Sequence, residues 1–400
     1  MKSRNPDESL FSGVSRDTVL LAFASFFADT ATEMLYPVLP IFLTQVLLAP
    51  ATVVGVVEGI ADGTKNAIQG FSGWFSDRIG RRKNVALFGY GLAAVAKPFI
   101  GLSGNWPQVL AARFVDRFGT GVRSAPRDAL VAGSVDEAHR GKAFGLEGIG
   151  DNSGAFVGPL VSALLVFAFH FDLRAIFFLA FVPGMLAFLI ILLVRERPVA
   201  FVEKARPFLG LKQFPSAYWK YILVTALFGL GNFSSAFLIL KTQAVGASTE
   251  ITLLIYAGFN FTAAIVSFPA GSISDRVGRK PLLLTSFIVS ALSYAGFAFA
   301  AGLSAISPLF LLYGVYTGVF RAIGRTFVTD FVPQAVRASA IGWYSTTVGL
   351  TGLVASVLAG QFWVIYGPQY TFIYGALFSF LGSMALLLGE SRTSSTAKRP

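Results

Sequence analysis

The chain has no cysteine, only two histidines and four methionines, and few charges: Asp, Glu, Lys and Arg together make up 13% of its 400 residues. Without cysteine there is neither a disulfide nor a thiol nucleophile. With His139 and His170 as the sole imidazoles, a transition-metal site lacks donors, and no metal or cofactor is expected. So few charged groups could not cover a water-soluble globule of this size. Apolar residues dominate instead: 54% are hydrophobic, with 40 Phe and 41 Gly, and the mean hydropathy is +0.66. The composition is that of an integral membrane protein, in which Gly lets helices approach closely and Phe faces hydrocarbon. The net charge of +11 does not indicate nucleic acid, because the Lys and Arg residues punctuate apolar runs rather than cluster on one soluble face.

Runs long enough to cross a bilayer need about 20 residues each. They fall near 17–47, 52–75, 84–103, 107–132, 142–169 and 175–194, and again near 221–243, 250–270, 281–302, 308–331, 338–365 and 371–389. The polar stretch 1–16 has no short apolar core followed by a cleavage site, so the first run is expected to be a retained span. Alternate connections carry the positive charge: Arg16, Arg78 to Lys83, Arg140 with Lys142, the stretch 195–220, Arg276 to Lys280, and Lys398 with Arg399. Because Lys and Arg are retained on the cytoplasmic side, both termini are expected to be cytoplasmic in a multi-pass protein of the plasma (bacterial inner) membrane. The expected organisation is an amino-terminal six-helix bundle over 1–194, a cytoplasmic linker over 195–220, and a carboxy-terminal bundle with a short tail over 221–400.

One stretch occurs twice. Gly73-x3-Asp77-Arg78-x-Gly80-Arg81-Arg82 returns as Gly271-x3-Asp275-Arg276-x-Gly278-Arg279, each copy set between apolar runs. The two read as short basic turns between helices. Sliding the second half back by about 198 positions also brings Arg337, Gly342 and Gly318 close to Arg140, Gly145 and Gly121, so a duplicated unit is expected. Such repeats usually pack about a pseudo-symmetry axis with the substrate path between them.

The stretch Gly73 to Lys83 in this topological slot resembles the signature of the major facilitator superfamily, and the resemblance covers essentially the whole chain. It implies an all-α polytopic fold of about twelve transmembrane helices in two pseudo-symmetric bundles, carrying a small solute by alternating access. It also implies that the loop reaches the eleventh span and latches the cytoplasmic side. Arg117-Phe118-Gly119-Thr120-Gly121 looks like the Arg-x-x-x-Gly motif linked to proton coupling in drug:proton antiporters. Gly154-x3-Gly158-Pro159 looks like their antiporter motif, but Ser162-Ala163 follow where a Gly pair is expected.

Charges inside a membrane persist only when paired, solvated or functional. Asp29 and Glu33 lie one turn apart in the first span; Glu58 and Asp62 repeat that spacing in the second, with Lys65 on the same stripe. Arg113, Asp116 and Arg117 follow in the fourth, Glu147 and Asp151 in the fifth. Some can be structural ion pairs, such as Asp62 with Lys65 or Asp116 with Arg113. Closely spaced carboxyls fit proton carriage better, since they repel when both are charged. At the mirrored positions the second half has Leu227, Gly231, Tyr256 and Asn260, so charge is expected on one side only. The first bundle would handle protons. Asn232, Phe233, Tyr256, Phe259, Asn260 and Tyr344 would form an apolar and aromatic wall for the substrate.

The leading expectation is a secondary active transporter, a monomer in the lipid bilayer, exporting a lipophilic cationic or neutral compound in exchange for protons. A carrier of an organic anion or metabolite, a metal-ion carrier and a non-transporting receptor are the alternatives. An ATP-driven pump lacks its loop, because Ala143 follows Gly141-Lys142 where Ser or Thr is needed. No nucleophile and base stand together as an enzyme would need. If the motif is a latch, Asp77→Asn should shift the conformational balance. The check is inside-versus-outside labelling of cysteines introduced into this Cys-free chain, and unchanged labelling would leave the loop a mere anchor.

Overall fold

Every regular element among the described residues is helical, as expected where backbone N–H and C=O groups can be satisfied only within a segment. The computed structural model describes residues 14–196, 214–333 and 336–389. Most of the expected linker (197–213), the basic residues Lys2, Arg4, Lys398 and Arg399, and the side chain of Asp77 lie outside that description.

The first half runs α1 (Arg16–Leu35), α2 (Val38–Ile41) with a π-helical continuation at Phe42–Val46, α3 (Ala51–Ile79), α4 (Arg82–Leu102) and α5 (Trp106–Gly133). It ends with α6 (Arg140–Phe169), α7 (Leu173–Leu179) and α8 (Phe181–Leu193). The second half repeats the plan with α9 (Ser216–Gly229), α10 (Ala236–Ala244), α11 (Thr249–Val277), α12 (Arg279–Phe299), α13 (Leu303–Val328), α14 (Arg337–Ile365) and α15 (Pro368–Leu388). Among the described residues each half thus forms six helical segments, the first and last of the first half and the first of the second being broken in the middle, and nine of the helices are long and apolar enough to cross a membrane. Pro37, which has no N–H to donate, stands at the break after α1. Side-chain caps start several helices: Ser15 accepts from the Thr18 N–H at 3.1 Å, Asn105 from Gln108 at 3.1 Å and Asp172 from Ala175 at 2.8 Å.

The repeated motif is less of a turn than expected. Residues 73–79 continue α3 and 271–277 continue α11. The reversals are confined to Gly80 with Arg81, and to Gly278 alone, where φ values of +63° and +90° select glycine. Facing outward from the bundle, Phe167, Phe268 and Phe299 are 71% or more exposed, as lipid-facing side chains should be.

Within the halves α1 packs on α6, α4 on α5 and α3 on α5, with α9 on α14, α12 on α13 and α11 on α13 as the counterparts. Glycine permits these approaches. Gly150, Gly154 and Gly158 of α6 form a stripe lying on the α1 backbone at Ala22, Phe26 and Thr30, and a Cβ added at Gly158 would sit 2.7 Å from the Thr30 carbonyl oxygen. Ser162 extends the stripe by donating its hydroxyl to Met34 O at 2.8 Å. The departure from the antiporter-like pattern is therefore absorbed in the packing. Gly121 of α5 abuts Lys65 of α3, as Gly318 of α13 abuts Ala263 of α11, so the repeat read from sequence holds for contacts too.

Between the halves α3 lies along α14 and α6 along α11. At the end away from the motif, Tyr36 and Ser234 hydroxyls meet at 2.8 Å and Gln45 donates to Gln243 at 2.9 Å. Both pairs are 198 residues apart, which is the repeat offset. Equivalent residues meet in this way on a two-fold axis, so the pseudo-symmetry axis passes here and the two halves are closed at this far end. Gly158→Val should cost about 1–3 kcal/mol by overpacking. It should lower the thermal midpoint of the purified protein by several degrees, whereas Ser153→Ala on the exposed face of the same helix should change it little.

Candidate functional site

A cavity of about 510 Å³ lies between the halves. From the first half, α1, α3, α5 and α6 line it. From the second come α11, α13, α14 and the link between α9 and α10. Its acids are Asp29, Glu33, Asp62, Asp128 and Asp151, and its bases are Lys65, Arg117, Arg123, Arg127, Arg321 and Arg325.

Asp29 and Glu33 share the cavity face of α1, as their spacing predicted. Asp29 Oδ1 is 3.5 Å from Arg123 Nη2, and Asp151 of α6 lines the same cavity. Glu33 Oε2 accepts from Tyr256 Oη at 3.1 Å and from Asn260 Nδ2 at 3.3 Å. Asn260 also donates to Ala155 O at 2.9 Å. An acid of the first half is thus held by two donors of the second. Those donors stand at the mirrored positions of Glu58 and Asp62.

Glu58 and Asp62 separate, although they share a helix face. Asp62 lines the cavity, while Glu58 is fully buried where α5 covers the preceding turn of α3, and it takes both Arg113 Nε at 3.1 Å and Nη2 at 3.2 Å. Arg113 then reaches Asp116 at 3.0 Å, Lys97 of α4 reaches the other oxygen of Asp116 at 2.8 Å, and Arg117 Nε stands 3.3 Å from Asp116. Glu58 and Arg113, expected among the coupling or substrate residues, thus lie in a buried ion network behind the cavity wall, while Arg117 belongs to both. The suggested structural pair Asp116 with Arg113 is formed. Asp62 and Lys65 make no ion pair within 4 Å among the described residues. Glu147 sits just behind the wall, accepting from Ser25 Oγ at 2.8 Å and paired with Arg127 at 2.9 Å. Arg127 also reaches Asp128 at 2.8 Å and Asp151 at 3.6 Å.

Of the expected wall, Asn232, Phe233, Phe259 and Tyr344 line the cavity, whereas Tyr256 and Asn260 stand one layer back on Glu33. The expectation of one-sided charge does not hold. Arg321 and Arg325, four residues apart on α13, bring two bases from the second half, and Arg123 and Arg127 add two more from α5. Sequence reading missed all four. The usable signal was the four-residue spacing, which puts each pair on one helix face. Among the described residues, Lys65, Arg321 and Arg325 make no ion pair within 4 Å. Buried N–H groups of Arg117 and Arg123 lack hydrogen-bond acceptors, and the Arg123 guanidinium lies 4.5 Å from the centre of the Tyr90 ring.

At the motif end the two copies do the same work. Lys83 Nζ donates to Leu192 O at the end of α8 at 2.8 Å, and Lys280 Nζ donates to Gly389 O just past α15 at 2.5 Å, each satisfying a free carbonyl at a helix C-terminus. In the first copy, Glu196 caps α4 by accepting the Arg82 N–H at 2.7 Å and the Lys83 N–H at 3.3 Å, and Arg78 stacks on Trp74. In the second, Arg279 pairs with Asp330, while Asp275 and Arg276 are exposed. Gly73 faces Ala125 of α5, and the contacts of α3 with α14 begin further from the motif, at Gly55, Gly59 and Gly63. Gly73 does not make the implied contact with the eleventh span in this conformation. Asp116→Asn would weaken the grip on three bases at once and should cost about 3–5 kcal/mol, the range for breaking a buried pair. Thermal unfolding of the purified protein should register that loss, and Asp275→Asn on the exposed copy should leave it unchanged.

A family profile described as Major Facilitator Superfamily matches residues 21–242 and 221–400. An uncharacterised MFS-type transporter of Methanocaldococcus jannaschii is 32% identical over 380 residues, covering 94% of this chain and 95% of its own. A multidrug resistance protein MdtG of Enterobacter lignolyticus is 22% identical over 397 residues, covering 96% and 94%. Among solved structures, a variant of the nucleoside transporter NupG superposes with a TM-score of 0.81 at 16% identity, covering 94% of this chain and all of that one. With its helices in two repeated sets and a profile match along nearly its whole length, the chain belongs to the Major Facilitator Superfamily of multi-pass membrane transporters.

Proposed function

We propose that the protein carries a small organic anion together with a proton, by alternating exposure of the central cavity. The observation that carries this reading is the pair Arg321 and Arg325 on α13, which opposes Lys65 and Arg117 of the first half. Among the described residues, Arg321, Arg325 and Lys65 have no carboxylate oxygen within 4 Å. Unpaired bases in a membrane-embedded cavity favour an anionic partner. A cationic cargo would meet positive side chains on both walls. The clamp that an anion carrier needs, with bases from each half, is thus available.

The proton site is the pair Asp29 and Asp151. Both line the cavity from the packed helices α1 and α6, and neighbouring carboxyls disfavour carrying charge together, so one of them is suited to hold a proton. That proton adds positive charge to the cavity, and an anion cancels it. By Coulomb's law each favours the other, so the two would move together. Each chain contains a whole cavity, which fits action as a monomer, and the basic loops fit a plasma membrane with the motif end in the cytoplasm.

A second reading, export of a lipophilic compound in exchange for protons, draws on the aromatic wall and on the relative named for multidrug resistance. Proteoliposomes loaded with a panel of labelled organic acids, amines and dyes under an imposed pH gradient separate the two. The first reading expects acids to accumulate towards the alkaline side; movement of amines or dyes alone, in the opposite sense, would sink it. For an accepted acid, Arg321→Gln should slow transport about tenfold or more, since a hydrogen bond to a charged group is worth about 1.5–3 kcal/mol. Asp29→Asn should remove the response to the gradient while exchange without a gradient persists.

A further inference from the structure

The cavity face of α13 changes character along its length. Tyr313, Tyr316, Thr317, Phe320, Arg321 and Arg325 all line the cavity, at the spacing of a single helix face. The aromatic members lie towards the closed far end and the bases towards the motif end. The rings form a continuous tract: Phe259 to Tyr313 at 5.7 Å between centres, Tyr313 to Tyr316 at 5.1 Å, and Tyr316 to Phe320 at 5.8 Å. Arg321 follows at once, about 7.5 Å beyond Tyr316 along the axis at 1.5 Å per residue.

A compact anion such as phosphate would use the bases and leave the rings idle. A lipophilic cation would use the rings and be opposed by Arg321. One chemistry uses both. Building on the anion reading above, we infer that the cargo is an amphipathic, flat acid, an aryl or conjugated carboxylate or sulfonate. Its ring lies against Tyr316 and Phe320, and its acid group reaches Arg321, with Lys65 of α3 closing from the opposite wall. The ring supplies the selectivity, because stacked or edge-on aromatic contacts add to the area they bury. Lys65 and Arg321 supply the sign. The cavity volume of about 510 Å³ is within the range of small-ligand sites.

The test is calorimetric titration of the purified full-length protein in detergent with four probes: benzenesulfonate, methanesulfonate, succinate and benzylamine. The sulfonates keep the same charge and anionic group, so their difference isolates the ring. Benzenesulfonate is expected to bind about tenfold tighter than methanesulfonate or succinate, the size of effect that aromatic contacts produce. Phe320→Leu should narrow that gap without weakening methanesulfonate, and Arg321→Gln should weaken both sulfonates together. Equal binding of the two sulfonates would overturn the flat-acid inference and leave the anion reading standing. Binding of benzylamine alone, or of none of the four at millimolar concentration, would overturn both.

Discussion

The carboxylate of Asp116 is the point on which the first half turns. It is fully buried and faces Lys97 of α4 and Arg113 and Arg117 of its own helix, while Arg113 carries the network on to Glu58 of α3. Three helices are thus joined by charges that water cannot reach. Such networks are a weak source of net stability, but removing one member is severe because it strands the others. The geometry they enforce matters more here. One turn from this network on α3, Asp62 and then Lys65 face the cavity, and Arg117 belongs to both places. The ion network therefore fixes the azimuth of α3 and α5, and with it which side chains a cargo meets.

Glycine does the corresponding work without charge. The α6 stripe at Gly150, Gly154 and Gly158 brings Asp151 onto the same side of the bundle as Asp29 by letting two backbones nearly touch. A motif suggestive of antiport on sequence grounds is, physically, the condition for two acids on different helices to face one cavity. Packing and the make-up of the cavity wall are not separable at this point of the chain.

Much of this architecture was readable from residues alone. Twelve apolar runs, their basic connections and the 198-residue offset anticipated the order of the helical segments, with ends off by up to seven residues at α11, because lipid leaves helices few alternatives. The acids of α1 were also correctly placed on one face. The partners were not readable. Helical spacing says that Glu58 and Asp62 share a side but not that α5 covers one and leaves the other open. Arg321 and Arg325 escaped notice because basic residues near a span end look like topology signals. Only the approach of α13 to the first half makes them a wall. Tyr256 and Asn260 were chosen as substrate contacts, yet they grip Glu33, a relation that depends on how the halves dock.

The hydrogen bond between Gln45 and Gln243 joins residues separated by the repeat offset, each the other's counterpart. In an ancestor made of two identical six-span chains, that position would have faced itself across a true two-fold axis. Self-contact is forbidding for a lysine or an aspartate, whose copies repel. A primary amide carries both donor and acceptor, so a glutamine can bond its own image. The pair preserves the chemistry of an isologous dimer interface within a single chain. The neighbouring pair Tyr36 and Ser234 meets on the same axis with unlike residues, as a single chain allows because its two sides are encoded separately.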